Sequence, residues 1–352
     1  TRAFDLISEK TKLEKEIEGK DKALVVDKTE RIAEIDAEMN TIARTAPDSK
    51  PEDDYDAAID DVVNPKRNKP TTPGAEVVPA GKKLFNDPNP ETAEISKKYK
   101  EDNGIETEAG EVITTLDTDR ASKIADEYEK AVDSPNDPET QESYTSMADE
   151  TLSQYDPISE AGYEVEIWEG EGEPYANSEE MIKDVKENKH MYIYSTEAGF
   201  GDAPITEEQR RQNKLLQDSG VKDKNGKPLL YNDVFRFVHD FFGHTERGNG
   251  FGPKGEENAW DIHARMYSDK ARRAMTSETR GQNSWVNFGP QMRNDDGSLK
   301  KKGDEGFLPA KDRAFAPQKM VLLPKEYSEI SGKKSKVKQE TTKVKQETTK
   351  VK

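Results

Sequence analysis

Three of the four histidines in this 352-residue chain lie within one stretch, Asn232 to Trp285. His239 and His244 belong to the segment Val-His-Asp-Phe-Phe-Gly-His, and His263 follows a glycine-rich loop in the segment Trp-Asp-Ile-His-Ala-Arg. Imidazole rings bind metals and transfer protons near neutral pH, so this spacing points to a catalytic or metal site. The chain contains no cysteine, and a metal here would therefore need histidine and carboxylate ligands.

The first two histidines fall on a predicted amphipathic helix with Asn232 as its N-cap. Four phenylalanines and two valines form an apolar arc on this helix, and His239 lies at one edge of that arc. On an uninterrupted α-helix the rings of His239 and His244 would point about 140° apart. Gly243 lies between them, and a glycine allows a helix to stop and the next side chain to turn back. The sequence therefore permits the two rings to converge but does not require it.

A second predicted helix carries Glu256 and His263, seven residues apart, in the middle of its apolar face. A carboxylate and an imidazole at such positions are costly to bury unless they pair with each other, with Arg280 or with a metal. Glu257 falls at the margin of the same face. Glu256 is therefore the carboxylate that we expect to point inward.

Together the two helices predict a metal site with His239, His244 and Glu256 as its ligands. Two histidines and one carboxylate with open positions suit Fe(II) or Zn(II). His263 would be a fourth ligand, a group behind the ligands or a general base. Two alternatives stay open: a buried polar cluster that only holds the helices together, and acid-base chemistry without a metal.

Two further segments adjoin this site. Glu278 to Trp285 is rich in polar residues: Arg280 could clamp a carboxylate or phosphate, and Gln282 and Asn283 could orient a substrate or a ligand. The alternative is an ordinary polar loop. Gly250 to Gly255 formally matches G-x-G-x-x-G, but it follows a helix rather than a strand, which favours a flexible connector or lid over a nucleotide site.

Composition limits the possible classes of protein. Hydrophobic residues make up 31% of the chain and charged residues 36%, with a mean hydropathy of -1.05, so part of the chain is expected to be unpacked. The net charge of -18 argues against a general nucleic-acid binder. No apolar run is long enough to span a membrane, and no signal peptide is recognisable.

The chain divides into four segments by charge, proline content and periodicity. The last carries eight lysines against two glutamates from Lys333 onward, so it could contact an acidic partner or a nucleic acid. The segments are a charged helical or coiled-coil-like region at 1–46, a disordered proline-rich acidic linker at 47–82, an α+β domain with the metal site at 83–330, and a basic repeat tail at 331–352.

Within residues 83–330 the pattern predicts a helix-dominated α+β fold with a small sheet. His190 lies at the start of a strand and is interpreted as an ordinary surface or edge histidine. The predicted helices cover 91–99, 119–132, 137–155, 177–185 and 206–218, the predicted strands cover 163–168 and 190–195, and a turn is expected at 223–226.

Two resemblances accompany these residues. His239-Asp-Phe-Phe-Gly-His244 resembles the His-Glu-x-x-Gly-His iron motif of the aromatic amino acid hydroxylases, which implies that both histidines bind iron. Asp240 stands where those enzymes have a glutamate, and their downstream carboxylate lies farther along the chain than Glu256 does here. Separately, the run from Asn232 to Phe288 resembles an uncharacterised domain of proteins encoded by tailed bacteriophages, over about residues 85–325.

The second resemblance implies a phage-encoded, virion-associated protein, located in the virion or the host cytoplasm and in contact with other virion proteins. With the site residues, it leads to the interpretation that the chain carries a metal-dependent catalytic domain, a hydrolase or an Fe(II) oxygenase. The alternative is a non-catalytic virion structural or interaction protein in which the same cluster only stabilises the fold. No contact with a membrane is expected.

Overall fold

The computed structural model describes residues 86–107, 110, 112–170, 172–199 and 204–330. All of them belong to one unit of the chain, Asp53–Lys352. The predicted coiled-coil-like segment at 1–46, the linker at 47–82 and the basic tail at 331–352 lie outside these residues.

Helices dominate the described residues, which confirms the predicted α+β class. No helix among them is long and apolar enough to cross a membrane. The α-helices are α1 (Pro90–Asp102), α2 (Thr118–Lys130), α3 (Pro138–Glu160), α4 (Ser178–Asn188), α5 (Thr196–Gly199), α6 (Glu207–Gln212), α7 (Tyr231–His239), α8 (Pro253–Ala264), α9 (Asp269–Thr276) and α10 (Gln282–Phe288). Two π-helical turns, Asp240–Thr245 and Ser277–Gly281, follow α7 and α9 directly.

Two small sheets complete the fold. Strand β1 (Glu164–Ile167) pairs in parallel with β2 (His190–Ile193), and α4 connects them. Strand β3 (Asp218–Lys222) and strand β4 (Pro228–Leu230) form an antiparallel hairpin. The strand-helix-strand order predicted from the sequence is therefore confirmed.

Helix starts follow the local chemistry that the sequence indicated. The side chain of Asp137 accepts the backbone N–H of Thr140 at 2.8 Å, and Pro138 occupies the first position of α3, where its missing N–H is harmless. In the same way the Asn177 side chain accepts the N–H of Glu180 at 3.0 Å and begins α4. The helices predicted to begin at residues 137 and 177 are thus confirmed, and α3 and α4 begin at Pro138 and Ser178.

Two other local predictions are wrong. The helix predicted over 206–218 ends at Gln212, because α6 has no buried face and the adjacent Leu215 and Leu216, both buried in a 3-10 turn, cannot share one face of an α-helix. Asn232 is not an N-cap either. Helix α7 begins one residue earlier, and the Asp233 carboxylate accepts the N–H of Leu230 at 2.9 Å.

Helix α7 is buried on more than one side, which fixes its orientation. Val234, Phe237 and Val238 pack into the hydrophobic core that includes β1, β2 and α4. Phe235 packs into a second core, formed with residues of α3, α8 and α9 such as Trp260. The histidine at the end of α7 is therefore carried by a helix that has little freedom to rotate.

Candidate metal centre

The first two histidines are brought together by a change in helix type. Helix α7 continues without a break into the π-helical turn Asp240–Thr245, in which hydrogen bonds join residues five apart. Residues five apart then lie on one face, and the ring centroids of His239 and His244 are 5.4 Å apart. The expectation that the helix stops at Gly243 is wrong, since the chain stays helical through Thr245.

Gly243 does not end the helix, and its structural role is to permit close packing. A Cβ atom at this position would lie 3.1 Å from the Cβ of Ala259, 3.2 Å from the Ala259 carbonyl oxygen and 3.3 Å from Cε1 of His239. These contacts are tighter than ordinary van der Waals packing. The glycine therefore allows the π-helical turn to approach α8 closely, and this approach brings the carboxylate of α8 to the histidines.

Glu256 on α8 faces both rings. Its Oε1 lies 3.6 Å from Nε2 of His244, and its Oε2 lies 3.9 Å from Nε2 of His239. Both distances are too long for hydrogen bonds. Two ligands that are each about 2.1 Å from a tetrahedral ion lie roughly 3.4 Å apart. The spacing is thus close to that of groups arranged around a shared cation.

Asp240 is a fourth group at this place, and it was not among the predicted ligands. Its Oδ1 lies 3.9 Å from Nε2 of His244. His239, Asp240 and His244 offer ligand atoms within 4.8 Å of one another and could hold a metal ion. The signal was present in the sequence, because Asp240 and His244 are four residues apart and this spacing is common among helical metal ligands. We call His239, Asp240, His244 and Glu256 the candidate metal centre, shortened below to the metal centre.

His244 is held in the form that a metal requires. Its Nδ1 lies 3.2 Å from the carbonyl oxygen of Asn249. A carbonyl oxygen can only accept a hydrogen bond, so Nδ1 carries the proton and Nε2 keeps a free lone pair. That lone pair belongs to the nitrogen that faces Glu256 and Asp240. Hydrogen bonds of this kind fix the tautomer of histidines that bind metals.

His263 orients His239 in a similar way. Nε2 of His263 lies 2.9 Å from Oε1 of Gln154, and Nδ1 of His263 lies 3.0 Å from Nδ1 of His239. Because Oε1 only accepts, His263 is protonated on Nε2 and accepts through Nδ1 the proton that His239 carries on its own Nδ1. Nε2 of His239 is then free to bind. Both nitrogens of His263 are engaged behind the metal centre, which matches the second of its three predicted roles.

Burial keeps the rings neutral. It lowers the pKa of His239, of His244 and, furthest, of His263. Burial also raises the pKa of Glu256, and it raises the pKa of Asp240 to about 7, with the nearby Glu256 charge acting in the same direction. Neutral imidazole is the form that binds a metal, and a cation among these carboxylates would relieve the cost of their charge.

The two carboxylates of the metal centre lie nearer to solvent than its rings. The side chain of His244 is only 1% exposed, whereas that of Glu256 is 19% exposed and that of Asp240 is 29% exposed. The hydrophobic shell is dense on the ring side, where Phe235 stacks on both His239 and His263. A small molecule would therefore reach the metal centre from the carboxylate side.

Arg280, the predicted substrate clamp, is held by the protein itself. Its Nε donates to Oε2 of Glu257 at 2.8 Å, its Nη2 pairs with Oε1 of the same residue, and its Nη1 donates to the Tyr327 carbonyl at 2.5 Å. The guanidinium also lies 3.1 Å from the centre of the Trp260 ring. Arg280 therefore fixes Glu257 and leaves Glu256 to the histidines.

The other two residues of this segment lie in different surroundings. Gln282 donates to Oε2 of Glu278 at 2.8 Å, and the hydroxyl of Tyr144 donates to Oε1 of Glu278 at 2.6 Å. Gln282 thus belongs to a second polar cluster. Asn283 lines a cavity of about 240 Å³ that is also lined by Glu256. The segment is helical, as a π-helical turn and α10, so the polar-loop interpretation is wrong.

The glycine-rich connector is shorter than predicted. Pro253 to Gly255 form the first turn of α8, and a Cβ on Gly255 would lie 1.9 Å from the carbonyl oxygen of Gly250. The ring of Phe251 packs against His244 with 5.1 Å between centroids. Gly255 thus permits the close approach between the connector and the first turn of α8.

His190, the fourth histidine, is buried at the start of β2 in a two-stranded sheet, so it is an edge histidine, as one of its two interpretations had it, and not a surface residue. Its Nδ1 lies 2.8 Å from Oδ2 of Asp184, and its Nε2 lies 3.2 Å from Oε2 of Glu166. The imidazole therefore joins β1, β2 and α4 through direct hydrogen bonds. We call these three residues the His190 cluster.

Comparison with known proteins gives no significant match to a protein-family model, a curated protein or a solved structure. The similarity of the histidine segment to the hydroxylase motif and the bacteriophage context both stay predictions.

Proposed function

We propose that residues 83–330 form a metal-dependent catalytic domain whose divalent ion is bound by His239, His244 and Glu256, with Asp240 as an additional carboxylate. The observation that carries the proposal is the separation between the Nε2 atoms and the oxygens of Glu256, 3.6 and 3.9 Å. Imidazole nitrogens and carboxylate oxygens face each other across a space that is too wide for a hydrogen bond and suited to a cation.

The donor set limits the ion and the reaction. Two imidazole nitrogens and carboxylate oxygens suit zinc or Fe(II) better than they suit magnesium or calcium, because the latter two ions prefer sites made only of oxygen atoms. Such an ion supplies either a water activated for hydrolysis or an open position for oxygen. We therefore propose a hydrolase or an Fe(II) oxygenase. Asn249 and His263 would hold the two rings, and the phenylalanines on the ring side would exclude water.

A non-catalytic role is the second candidate, and a specific observation favours it. Side-chain hydrogen bonds from Gln154 to His263 and from His263 to His239 link α3, α8 and α7, as a purely stabilising cluster would. In that case the same residues would serve only to stabilise the fold of a structural or interaction protein. Metal binding separates the two candidates.

The test is elemental analysis and metal titration of the full-length chain. We expect about one zinc or Fe(II) ion per chain in the wild type, and less than a tenth of that occupancy in His244→Ala and Glu256→Gln under the same conditions. His190→Gln is the matched control, since it removes a buried histidine with two carboxylate neighbours outside the metal centre, and it should keep the ion. A folded wild type that binds neither metal would refute the catalytic proposal.

A further inference from the structure

The cavity of about 240 Å³ next to the metal centre has two kinds of wall. Leu116, Ile124 and Phe288 contribute apolar surface, and Glu256 belongs to both the cavity and the metal centre. Typical sites for drug-sized ligands measure about 300–1,000 Å³, so this cavity suits a smaller molecule. Any occupant of the cavity lies beside the carboxylate that faces the two histidines.

The polar wall contains two arginines that differ in availability. All three nitrogen atoms of the Arg280 guanidinium donate hydrogen bonds, to Glu257 and to the backbone carbonyl of Tyr327. Arg120 on α2 is held weakly. Its Nη1 lies 4.0 Å from Oε1 of Glu257, its Nη2 reaches the Glu326 carbonyl at 3.4 Å, and its side chain is 37% exposed. Arg120 is therefore the arginine that can turn toward a ligand.

The formal charge of the cavity depends on the ion. The charged side chains around it are those of Arg120 and Arg280 and those of Asp117, Glu256 and Glu257, which leaves one net negative charge. Asp240 at the metal centre adds a second negative charge, and a divalent cation there neutralises both. The carboxylates would then no longer repel an anion, and Arg120 would attract one.

We propose that this cavity binds a small organic monocarboxylate, with Arg120 contacting the carboxylate and the apolar wall contacting the rest of the molecule. An arginine can bind a carboxylate through two parallel N–H donors, which gives the ligand a fixed orientation. The opposite end of the ligand then lies next to Glu256. The inference rests on the proposed function, because without the ion the carboxylates around the cavity would repel an anion.

Benzoate is a suitable probe, since it joins one carboxylate to a compact apolar ring. We would titrate the zinc-loaded full-length chain with benzoate, with its neutral analogue benzamide and with inorganic phosphate, and follow the ligands by NMR. We expect benzoate to bind at least tenfold more tightly than either of the others. Equal affinities for benzoate and benzamide, tighter binding of phosphate, or no binding of benzoate would overturn the proposal.

Arg120→Gln tests the residue. It should weaken benzoate binding at least tenfold and leave the zinc content unchanged, whereas Arg211→Gln, which removes an exposed arginine on α6, should change neither. Unchanged benzoate binding in Arg120→Gln would overturn the assignment.

The zinc content of each sample separates the two proposals. A chain that holds zinc but ignores benzoate contradicts only the ligand assignment, and a chain that holds neither contradicts both. Benzoate binding without zinc would overturn the charge argument.

Discussion

Two clusters in this protein combine histidine with two carboxylates, and they are built differently. In the His190 cluster each ring nitrogen lies within hydrogen-bond distance of an oxygen, at 2.8 and 3.2 Å. In the metal centre the Nε2 atoms stand 3.6 and 3.9 Å from the oxygens of Glu256. Burial and composition are similar, so the difference lies in which groups hold the nitrogens.

The His190 cluster is complete without another component. Its ring joins two strands and a helix, and both of its nitrogens are engaged by carboxylates. In the metal centre, by contrast, a carbonyl oxygen and a second histidine engage only the Nδ1 atoms, and the Nε2 atoms are left facing acids. The comparison teaches that the orienting group behind a histidine decides whether both of its nitrogens are engaged by the protein or one remains free to bind.

The largest expected effect on this comparison comes from removing the carboxylate of Glu256 from the metal centre. Glu256→Ala should weaken zinc or Fe(II) binding more than about 100-fold, because loss of an orienting group alone costs about 10–100-fold and a ligand contributes more. Glu166→Ala in the His190 cluster should leave metal affinity unchanged. Competition with a metal-sensitive dye measures both, and equal losses in the two variants would contradict the distinction.

Replacement of His263 should sharpen the comparison between the two clusters. His263→Gln removes the acceptor that fixes the tautomer of His239, and we expect metal affinity to fall about 10–100-fold while the stoichiometry stays at one. The control is His190→Gln, which should lower the melting temperature without any change in metal affinity. If His263→Gln lowers only the melting temperature, the residue has a structural role alone.

The close approach of the π-helical turn to α8 gives a third prediction. Gly243→Ala should lower the free energy of unfolding by about 1–2 kcal/mol, in the lower part of the range for overpacking, since the new Cβ would meet Ala259 and His239 at 3.1–3.3 Å. Chemical denaturation measures this change. The double variant Gly243→Ala/Ala259→Gly removes one of these contacts and should recover part of the loss. A neutral single variant would show that the turn can move.

The smallest expected effect is on the pH dependence of stability, and it comes from Glu278, a buried carboxyl group outside both histidine clusters. Burial raises the pKa of Glu278 to about 7, so the folded state binds an extra proton between about pH 4.5 and pH 7. The contribution of Glu278 to stability is present at the acidic end of this window and is lost as the pH rises through the folded pKa. Between pH 5 and pH 6, where the shift accounts for about 1 kcal/mol, the melting temperature of Glu278→Gln should therefore rise by about 2–4 °C relative to that of the wild type. A constant difference would contradict the raised pKa.

The parts of the fold that the sequence predicted depend on local chemistry. The alternating residues of β1 and the capping side chains Asp137 and Asn177 act on their immediate neighbours, so their signals survive without knowledge of the tertiary structure. The helical phase of α8 likewise separated Glu256 from Glu257 correctly, since Glu256 faces the histidines and Glu257 pairs with Arg280.

Other parts depend on packing that a sequence does not display. Gly243 suggested a helix end, whereas close contact with Ala259 accompanies a wider turn of the same helix. Arg280 had the chemistry of a substrate clamp, but the proximity of Glu257 and Trp260 assigns it to an internal contact. Asp240 shows its spacing to His244 in the sequence, but its place beside Nε2 of His244, at 3.9 Å, accompanies the π-helical turn.

The π-helical turn makes the metal centre depend on the number of residues as well as on their identity. Deletion of one residue such as Phe242 would restore ordinary α-helical pairing, and the chain downstream would rotate by about 100° and shorten by about 1.5 Å. His239 and His244 would then be four residues apart, a spacing that an ordinary α-helix keeps on one face. A single in-frame codon loss at this point would therefore change how His244 meets Asn249 and Glu256, and it would not separate the two histidines.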